Sequence, residues 1–355
     1  MSVLAILFVT LAVYRFTREN IVIVLGLLIV PLCLNLLYTV LLTDNNLLIS
    51  TKFFITLITV GLAYFVTVNR YALKWFIWLN LLQAIVLISI FLFVLFYIGP
   101  KEYLPIRFFF IEKDWGDIYT YNGYFFRIQI RGSALLLVSI ILTNETNLIK
   151  GKYLTLTILI IGLILAGNFA FLIAGALYII YCILRIEGKR SNNAYLLIIL
   201  IFVIAGVFLS PYISEYVVST LESKQESSIG ARNDQAAYLV KDVFENPFST
   251  MLGQGLGNTL QVKSSFRDYT TSTYYELQTL YIFNQLGVLF FLIYLLYHIF
   301  MVIQRWGKAK NVIFITYLIY VCYAITNPYI FDTNHFIIIV VLNSWVNTIK
   351  CDAIY

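Results

Sequence analysis

The chain is built of apolar runs too long and too poor in charge to be the strands or helices of a water-soluble core. These runs fall at about 2–14, 20–42, 51–69, 74–98, 132–146, 153–168, 168–186, 194–211, 277–301, 311–327 and 335–349. A helix crossing a bilayer needs about 20 apolar residues, with a range near 17–25. Lipid offers no partner to an open backbone N–H, so each run must be helical. The first run is short and is expected to insert only in part. The pair around 153–186 can be divided differently at Gly167-Asn168. Apolar residues make up 61% of the chain and charged ones 12%, against about 25% charged in a soluble domain. The expected fold is an all-α integral membrane protein of about eleven transmembrane helices, one polytopic domain over 1–355.

Basic residues orient it. Alternate connections hold Arg15 and Arg18; Arg70 and Lys74; Lys150 and Lys152; Arg185, Lys189 and Arg190; Arg305, Lys308 and Lys310; and Lys350. The short connections at 43–50 and 328–334 hold none, with only Lys52 nearby. The positive-inside rule puts the basic set in the cytoplasm. Two longer polar segments, 99–131 and 211–275, then face outward. Arg15 and Arg18 follow the first apolar run, the reverse of a signal peptide's order, so no cleavable signal is expected. The cysteines, Cys33, Cys182, Cys322 and Cys351, lie in or beside apolar runs without metal spacing and read as small apolar residues. The net charge of +6 is scattered between spans and implies no nucleic acid.

The outer segments break the basic-inside pattern. They carry Lys101, Arg107, Lys113, Arg127 and Arg131, then Lys224, Arg232, Lys241, Lys263 and Arg267. An outward surface lined with Arg suits an anionic ligand held at the membrane, such as a lipid phosphate or diphosphate, whose oxygens match the planar guanidinium fork. Within ARNDQAAYLVKDVFE (231–245), Ala236, Leu239, Val240 and Val243 form an apolar helical stripe, and Arg232 extends it. Arg232 either snorkels to water from the helix end or points into a cavity and binds phosphate. The helix should stop at Asn246-Pro247. The following Gly253-Gln254-Gly255-Leu256-Gly257 either forms a small anion nest from exposed N–H groups or is a plain re-entrant turn.

Glu276 opens the ninth span. Thr273-x-x-Glu276 fits a capping box; alternatively the carboxylate serves as a general base. One helical face would carry Glu276, Thr279, Leu280, Phe283 and Gly287. Arg127 and Arg131 share a face whether helical or extended, and they either act as a cationic pair or anchor the fifth span at the interface. Asp332 and His335 form the only acidic/His pair on the outer face, without a third ligand for zinc. His298 reads as structural. There is no internal repeat and almost no deep intramembrane charge, which argues against coupled ion transport.

An Arg on a helix, then ENPFSTMLGQGLGN (245–258), then ELQTLYIFNQLGVLFFLIYL (276–295), resembles the O-antigen polymerase and ligase superfamily. FRIQIRGSALLL (126–137) is similar to that superfamily's Arg, Gly and apolar-span segment. By motif the resemblance covers about 120–290. It implies a multi-span GT-C-type glycosyltransferase with a large helical outer loop, 211–275. Such an enzyme joins undecaprenyl-diphosphate-linked oligosaccharide repeats on the periplasmic face of the bacterial inner membrane, for O-antigen, capsule or another polysaccharide. Arg127 and Arg232 match its outer-loop arginines, and Gly255, Gly257 and Asn258 its glycine motif. Its ligases usually carry His where this chain has Glu276, which favours a polymerase. The superfamily's Ser-Arg near the seventh span is missing, with Asn168 and Gly175 in that area.

On this reading Arg127, Arg131 and Arg232 stabilise the leaving diphosphate, Glu276 orients or deprotonates the acceptor hydroxyl, and Tyr274 and Tyr275 hold sugar rings. Arg107 and His335 join the substrate-binding set. No cofactor or metal is required. Membrane lipid, a chain-length regulator and a flippase are the further implied partners. The rivals are a ligase acting on another acceptor, a scaffold without activity, and a lipid-oligosaccharide flippase, which should carry its cations deep within spans.

In a cysteine-free background, Gln225→Cys should react with a membrane-impermeant thiol reagent and Lys308→Cys should not. The reverse labelling would overturn the orientation.

Overall fold

The structure is a computed structural model and describes residues 18–98, 102–113, 115–120, 126–185, 230–260, 270, 275–307, 311–325 and 327–352. The expected spans 2–14 and 194–211 lie outside the described residues, as do Tyr274 and Thr273. The chain divides into two compact units, Met1–Arg70 with Ser228–Tyr355, and Tyr71–Ser227. Among the described residues, four helical stretches are long and apolar enough to cross a membrane: Asn20–Leu42, Leu47–Phe65, Arg70–Ile98 and Gln278–Trp306. Shorter apolar helices run over Lys152–Ala166, Ala170–Leu184 and Asn311–Ala324.

The first unit opens with α1 (Arg18–Val24) and α2 (Val30–Leu42), joined by a wide π-turn at Leu25–Ile29. Pro31 lies in the first turn of α2. A proline ring clashes with the carbonyl four residues back and donates no N–H, and the widened turn absorbs both defects. Asn46 starts α3 (Leu47–Leu62), its side chain accepting from the N–H groups of Leu48 and Ile49. A tight turn, Ala63–Phe65, ends this run. After residue 230 come α9 (Gly230–Val243), α10 (Pro247–Leu252), α11 (Gln278–Trp306), α12 (Asn311–Ala324) and α13 (Thr333–Asp352). The expected stop at Asn246-Pro247 is where α9 and α10 separate, with Asn246 capping α10.

Polar side chains close the backbone of this unit where its helices end. Tyr294 and Tyr297 of α11 donate to the carbonyls of Leu57 and Gly61 on α3, at 3.0 and 2.7 Å. Asn343 of α13 donates to the carbonyls of Tyr64 and Val66. Carbonyls in the last turn of a helix have no intrahelical donor, and the bonds to Gly61 and Tyr64 supply one, while Leu57 lies a turn earlier. Asp332 caps α13, its Oδ1 accepting the His335 N–H at 3.0 Å.

The second unit contains α4 (Arg70–Phe93) with a wide final turn at Val94–Ile98, α5 (Leu104–Glu112), strands β1 (Gly116–Thr120) and β2 (Phe126–Ile130), α6 (Leu136–Glu145), α7 (Lys152–Ala166) and α8 (Phe169–Leu184). The described residues are mostly helical, as expected, with one local exception in this unit. Residues 116–120 and 126–130 form an antiparallel ribbon with Ile118 opposite Ile128 and Thr120 opposite Phe126. Ile118, Phe126 and Ile128 are all buried on one side of it, the period of two expected of a half-buried strand. The even spacing of Arg127 and Arg131 does not continue across the strand end, because Arg131 begins a tight turn at Arg131–Leu135. The division at Gly167-Asn168 is real. Gly167 ends α7 in the left-handed region, and Asn168 caps α8 by accepting the Ala170 N–H.

Burial pushes the Asp332 carboxyl up to about 7, against the pull of the His335 N–H and the Asn334 amide. An acid with a raised folded pKa stabilises the fold fully below its ordinary range near 4 and loses that stabilisation as pH rises through about 7. Thermal unfolding in detergent should therefore show a midpoint falling between about pH 4 and 7, and Asp332→Asn should flatten that slope. An identical slope in the variant would mean that water reaches the carboxyl.

Candidate functional site

α9 carries Arg232, and its buried face differs from the stripe expected from the sequence. Gln235, Leu239 and Val243 are buried, whereas Val240 is 40% exposed. The stripe runs through a polar residue, and Arg232 lies one turn before it. Arg232 neither snorkels nor stands open: its Nε donates to Glu276 Oε2 at 2.9 Å. The two side chains are 32% and 17% exposed. Among the described residues, only Glu276 takes an N–H of Arg232. The terminal nitrogens thus remain able to meet an anion while Nε holds the carboxylate.

Thr273, the other half of the expected capping box, lies outside the described residues. The helix starts at Gln278, with Leu277 at its cap position and no cap from the Leu277 side chain. The donors are met from α9 instead, where Gln235 Oε1 accepts the N–H groups of Glu276 and Leu277 at 3.1 and 3.4 Å. Gln235 therefore fixes the backbone of the residue whose carboxylate Arg232 holds. Sequence reasoning missed Gln235. Its only signal was its place three residues after Arg232, which in a helix puts both on one face.

Of the two readings of the glycine segment, an anion nest and a plain turn, its N–H groups fit the turn. Gln254 and Gly255 donate to the carbonyls of Asn284 and Gln285, at 2.9 and 3.1 Å. Leu256 donates to Thr39 Oγ1 and Gly257 to Gln285 Oε1, at 2.9 and 2.8 Å. The carbonyls are met as well. Asn35 donates to Leu252 O, Tyr38 to Gly253 O, Asn45 to Gln254 O and Leu256 O, and Ser50 to Leu256 O. The segment is a clasp between α2, α3 and α11, with no donors left over for phosphate. Gly257 has φ +77, and a Cβ there would stand 2.7 Å from the Ser50 nitrogen. At Gly253, φ is +80, and a Cβ would collide with the Gln285 carbonyl.

Gly287 does not line a helical face with Glu276. It has φ 66 and ψ 179, and α11 kinks there. The kink turns the peptide away from the helix just where the clasp donates to Asn284 and Gln285. Asn258 braces the other side, donating to Asp242 Oδ2 and to Asn284 Oδ1, both at 3.1 Å. Asn284 also donates to Asp242 Oδ2 at 2.8 Å. Burial raises the Asp242 carboxyl above its ordinary range, and the amides of Asn284 and Asn258 pull it back.

The remaining candidates are placed as follows. Tyr275 is fully buried, its ring 4.4 Å from that of Tyr281, so it packs in the core and offers no sugar platform. His335 is also fully buried and not on an outer surface. The Phe331 N–H can only donate, so His335 Nδ1 accepts it, and the Nε2 proton faces Tyr317 Oη at 3.1 Å. The ring stacks 5.5 Å from His298, the chain's other histidine. Phe331 holds a left-handed φ of 57 within this cluster, a strain kept in place by the same bond and by ring contacts to Tyr294 and His298.

In the second unit, Arg127 Nε donates to Ala166 O at 3.2 Å and Nη2 to Gln129 Oε1 at 2.6 Å. Its stem lies against Gly167, so the guanidinium sits at the negative end of α7. Arg131 is exposed. Arg107 makes a two-pronged ion pair with Asp117, at 2.8 and 3.2 Å, and so is not an open phosphate ligand. Among the described residues no group of three or more His, Cys, Asp and Glu could hold a metal.

The chain matches no protein-family model, no curated protein and no solved structure.

Gly257→Ala tests the clasp. Strain of about 1–3 kcal/mol is expected at such a position, read as a lower melting temperature in detergent. An unchanged melting temperature would mean an open loop whose N–H groups are available to a ligand.

Proposed function

We propose that the chain polymerises oligosaccharide repeats carried on a polyprenyl diphosphate, as an eleven-span, GT-C-type glycosyltransferase working at the periplasmic face of the bacterial inner membrane. The observation that carries this reading is the Arg232–Glu276 pair. It joins, on one unit, the two residues to which the O-antigen polymerase resemblance assigns charge stabilisation and acceptor handling. The glycine motif of that resemblance supports the same element, since the clasp grips α11 at Asn284 and Gln285, six and seven residues after Gln278 begins it.

The chemistry is a displacement at the anomeric carbon. The acceptor hydroxyl oxygen forms the new glycosidic bond as the bond from carbon to diphosphate oxygen breaks. The electron pair leaves with the diphosphate, and the hydroxyl proton passes to Glu276 and then to water. Diphosphate is a good leaving group once its developing charge is met, and fixed cations do this best in a water-poor site. Arg232 meets it with its terminal nitrogens. Binding of the diphosphate draws Arg232 toward the phosphate oxygens and releases the carboxylate to the hydroxyl. Arg127, which the resemblance also matches, lies on the other unit and already commits its Nε and one Nη to Ala166 and Gln129. Glu276 in place of the ligases' usual His favours a polymerase over a ligase.

A deletion strain should make glycan of a single repeat in place of a ladder of lengths. Long polymer left on the lipid carrier would point to a ligase, and single repeats trapped in the cytoplasm to a flippase. Arg232→Ala should cost about 2–5 kcal/mol, roughly 30- to 4000-fold in rate, with Arg232→Lys a poor rescue because Lys lacks the fork. Glu276→Gln keeps size and one acceptor oxygen but takes no proton, and activity should fall by roughly 10²–10⁴-fold. Normal polymer length in both Arg232→Ala and Glu276→Gln would sink the assignment.

A further inference from the structure

α5 buries one face and leaves the opposite one bare. Phe110 is the buried anchor, at 7% exposure. Arg107, one turn before it, is neutralised by the two-pronged pair with Asp117 of β1. Trp115 ties the end of the helix to the ribbon, with rings 5.4 and 5.8 Å from Phe109 and Phe110 and its N–H donated to Phe110 O.

The bare face is apolar and continuous. Leu104, Phe108, Ile111 and Trp115 follow one another at spacings of four, three and four, and are 44, 64, 49 and 55% exposed. Within the helix, three and four are the spacings of neighbours on one face; Trp115 lies three residues beyond its end, just before β1, and extends the exposed apolar run there. In water such a stripe would be a liability. The only charge within LPIRFFFI is the one already paired, and the exposed charges Glu102, Glu112 and Lys113 flank the ends, the last two in contact with each other at 3.8 Å. That is the pattern of a helix lying in a bilayer interface, with an apolar side, charged ends and a Trp at headgroup level.

What covers the stripe follows from the chain. α5 begins six residues after Ile98, the end of the 29-residue apolar stretch Arg70–Ile98. Six residues reach at most about 21 Å, and the last turn of that stretch exposes Phe96 and Tyr97 at 73 and 82%. The apolar surface of the span thus passes on to the stripe within the thickness of one headgroup layer and its border.

We propose that α5 is a monotopic element, its Leu104–Phe108–Ile111–Trp115 stripe sunk in the same leaflet that the Arg70–Ile98 stretch emerges from, and that its occupant is phospholipid acyl chain. The segment 99–131 is then a lipid-seated platform that carries the β1–β2 ribbon, with Arg127 on it, at the membrane surface. This holds whether or not the chain is a polymerase.

The test uses the full chain, with its native cysteines replaced, in phosphatidylcholine–phosphatidylglycerol vesicles. Spin labels go singly at 104, 108, 111 and 115, and at 102, 112 and 113 for the flanks. Collision with oxygen, which concentrates in lipid, is compared with collision with a water-soluble nickel chelate. The stripe should favour oxygen and read about 5–10 Å below the headgroup level, while the flanks favour nickel. Nickel access equal at stripe and flanks would overturn the proposal, leaving α5 as a loop in water. A stripe shielded from both reagents would also overturn it, because protein would then be the cover. Positions 104, 108 and 111 are exposed, and chains labelled there should match the unlabelled one in thermal midpoint; the label at 115 removes the Trp115 ring contacts to Phe109 and Phe110, so it is read only where the midpoint is kept.

Discussion

The first unit depends on how a broken helix keeps its backbone paired inside an apolar medium. α11 kinks at Gly287, and an unpaired carbonyl in lipid costs several kcal/mol. The clasp at Gly253–Asn258 supplies the donors, and side chains of α2 and α3 then satisfy the clasp's own carbonyls. Each partner closes a debt left by another, so none can be removed alone. The left-handed glycines are there because backbone must approach backbone at this point, with no room for a Cβ.

The Arg232–Glu276 pair inherits its geometry from that arrangement. Asn284, beside the kink, is bonded to Leu239 O and to Asp242 on α9 as well as to Asn258. α9 is thereby set against α11, and Gln235 and Arg232 come to the first residues of the span. The polar face of α9 is a docking face whose partners are amides and carboxylates. That explains why an apolar-stripe reading pointed at Ala236 and Val240 and missed Gln235.

The second unit solves a different problem with the same rule. Its ribbon buries Ile118, Phe126 and Ile128 on one side, and the cations that the sequence offers as phosphate ligands are largely occupied: Arg107 by Asp117, Arg127 by a helix end and Gln129. An outward Arg in a membrane protein is as much a means of closing carbonyls and carboxylates at the interface as it is a ligand. Sequence alone does not separate the two uses, because both ask for the same fork.

The sequence by itself determined what solvent physics dictates. Apolar length set the helical runs on the described residues, and Asn46, Asn168 and Asn246-Pro247 set where helices start or stop. Those are local effects, complete within a turn or two of chain. It also brought out Arg232 and Glu276, since charge beside an apolar stretch is costly wherever it is placed. Only the tertiary structure decided what those groups meet. Glu276 turned to an Arg 44 residues away. The glycine N–H groups turned to carbonyls of α11 instead of solvent. Tyr275 and His335 went inward, to rings and hydroxyls on other segments. A hydrogen-bonding group declares in sequence that it needs a partner, but which partner reaches it first is a matter of packing.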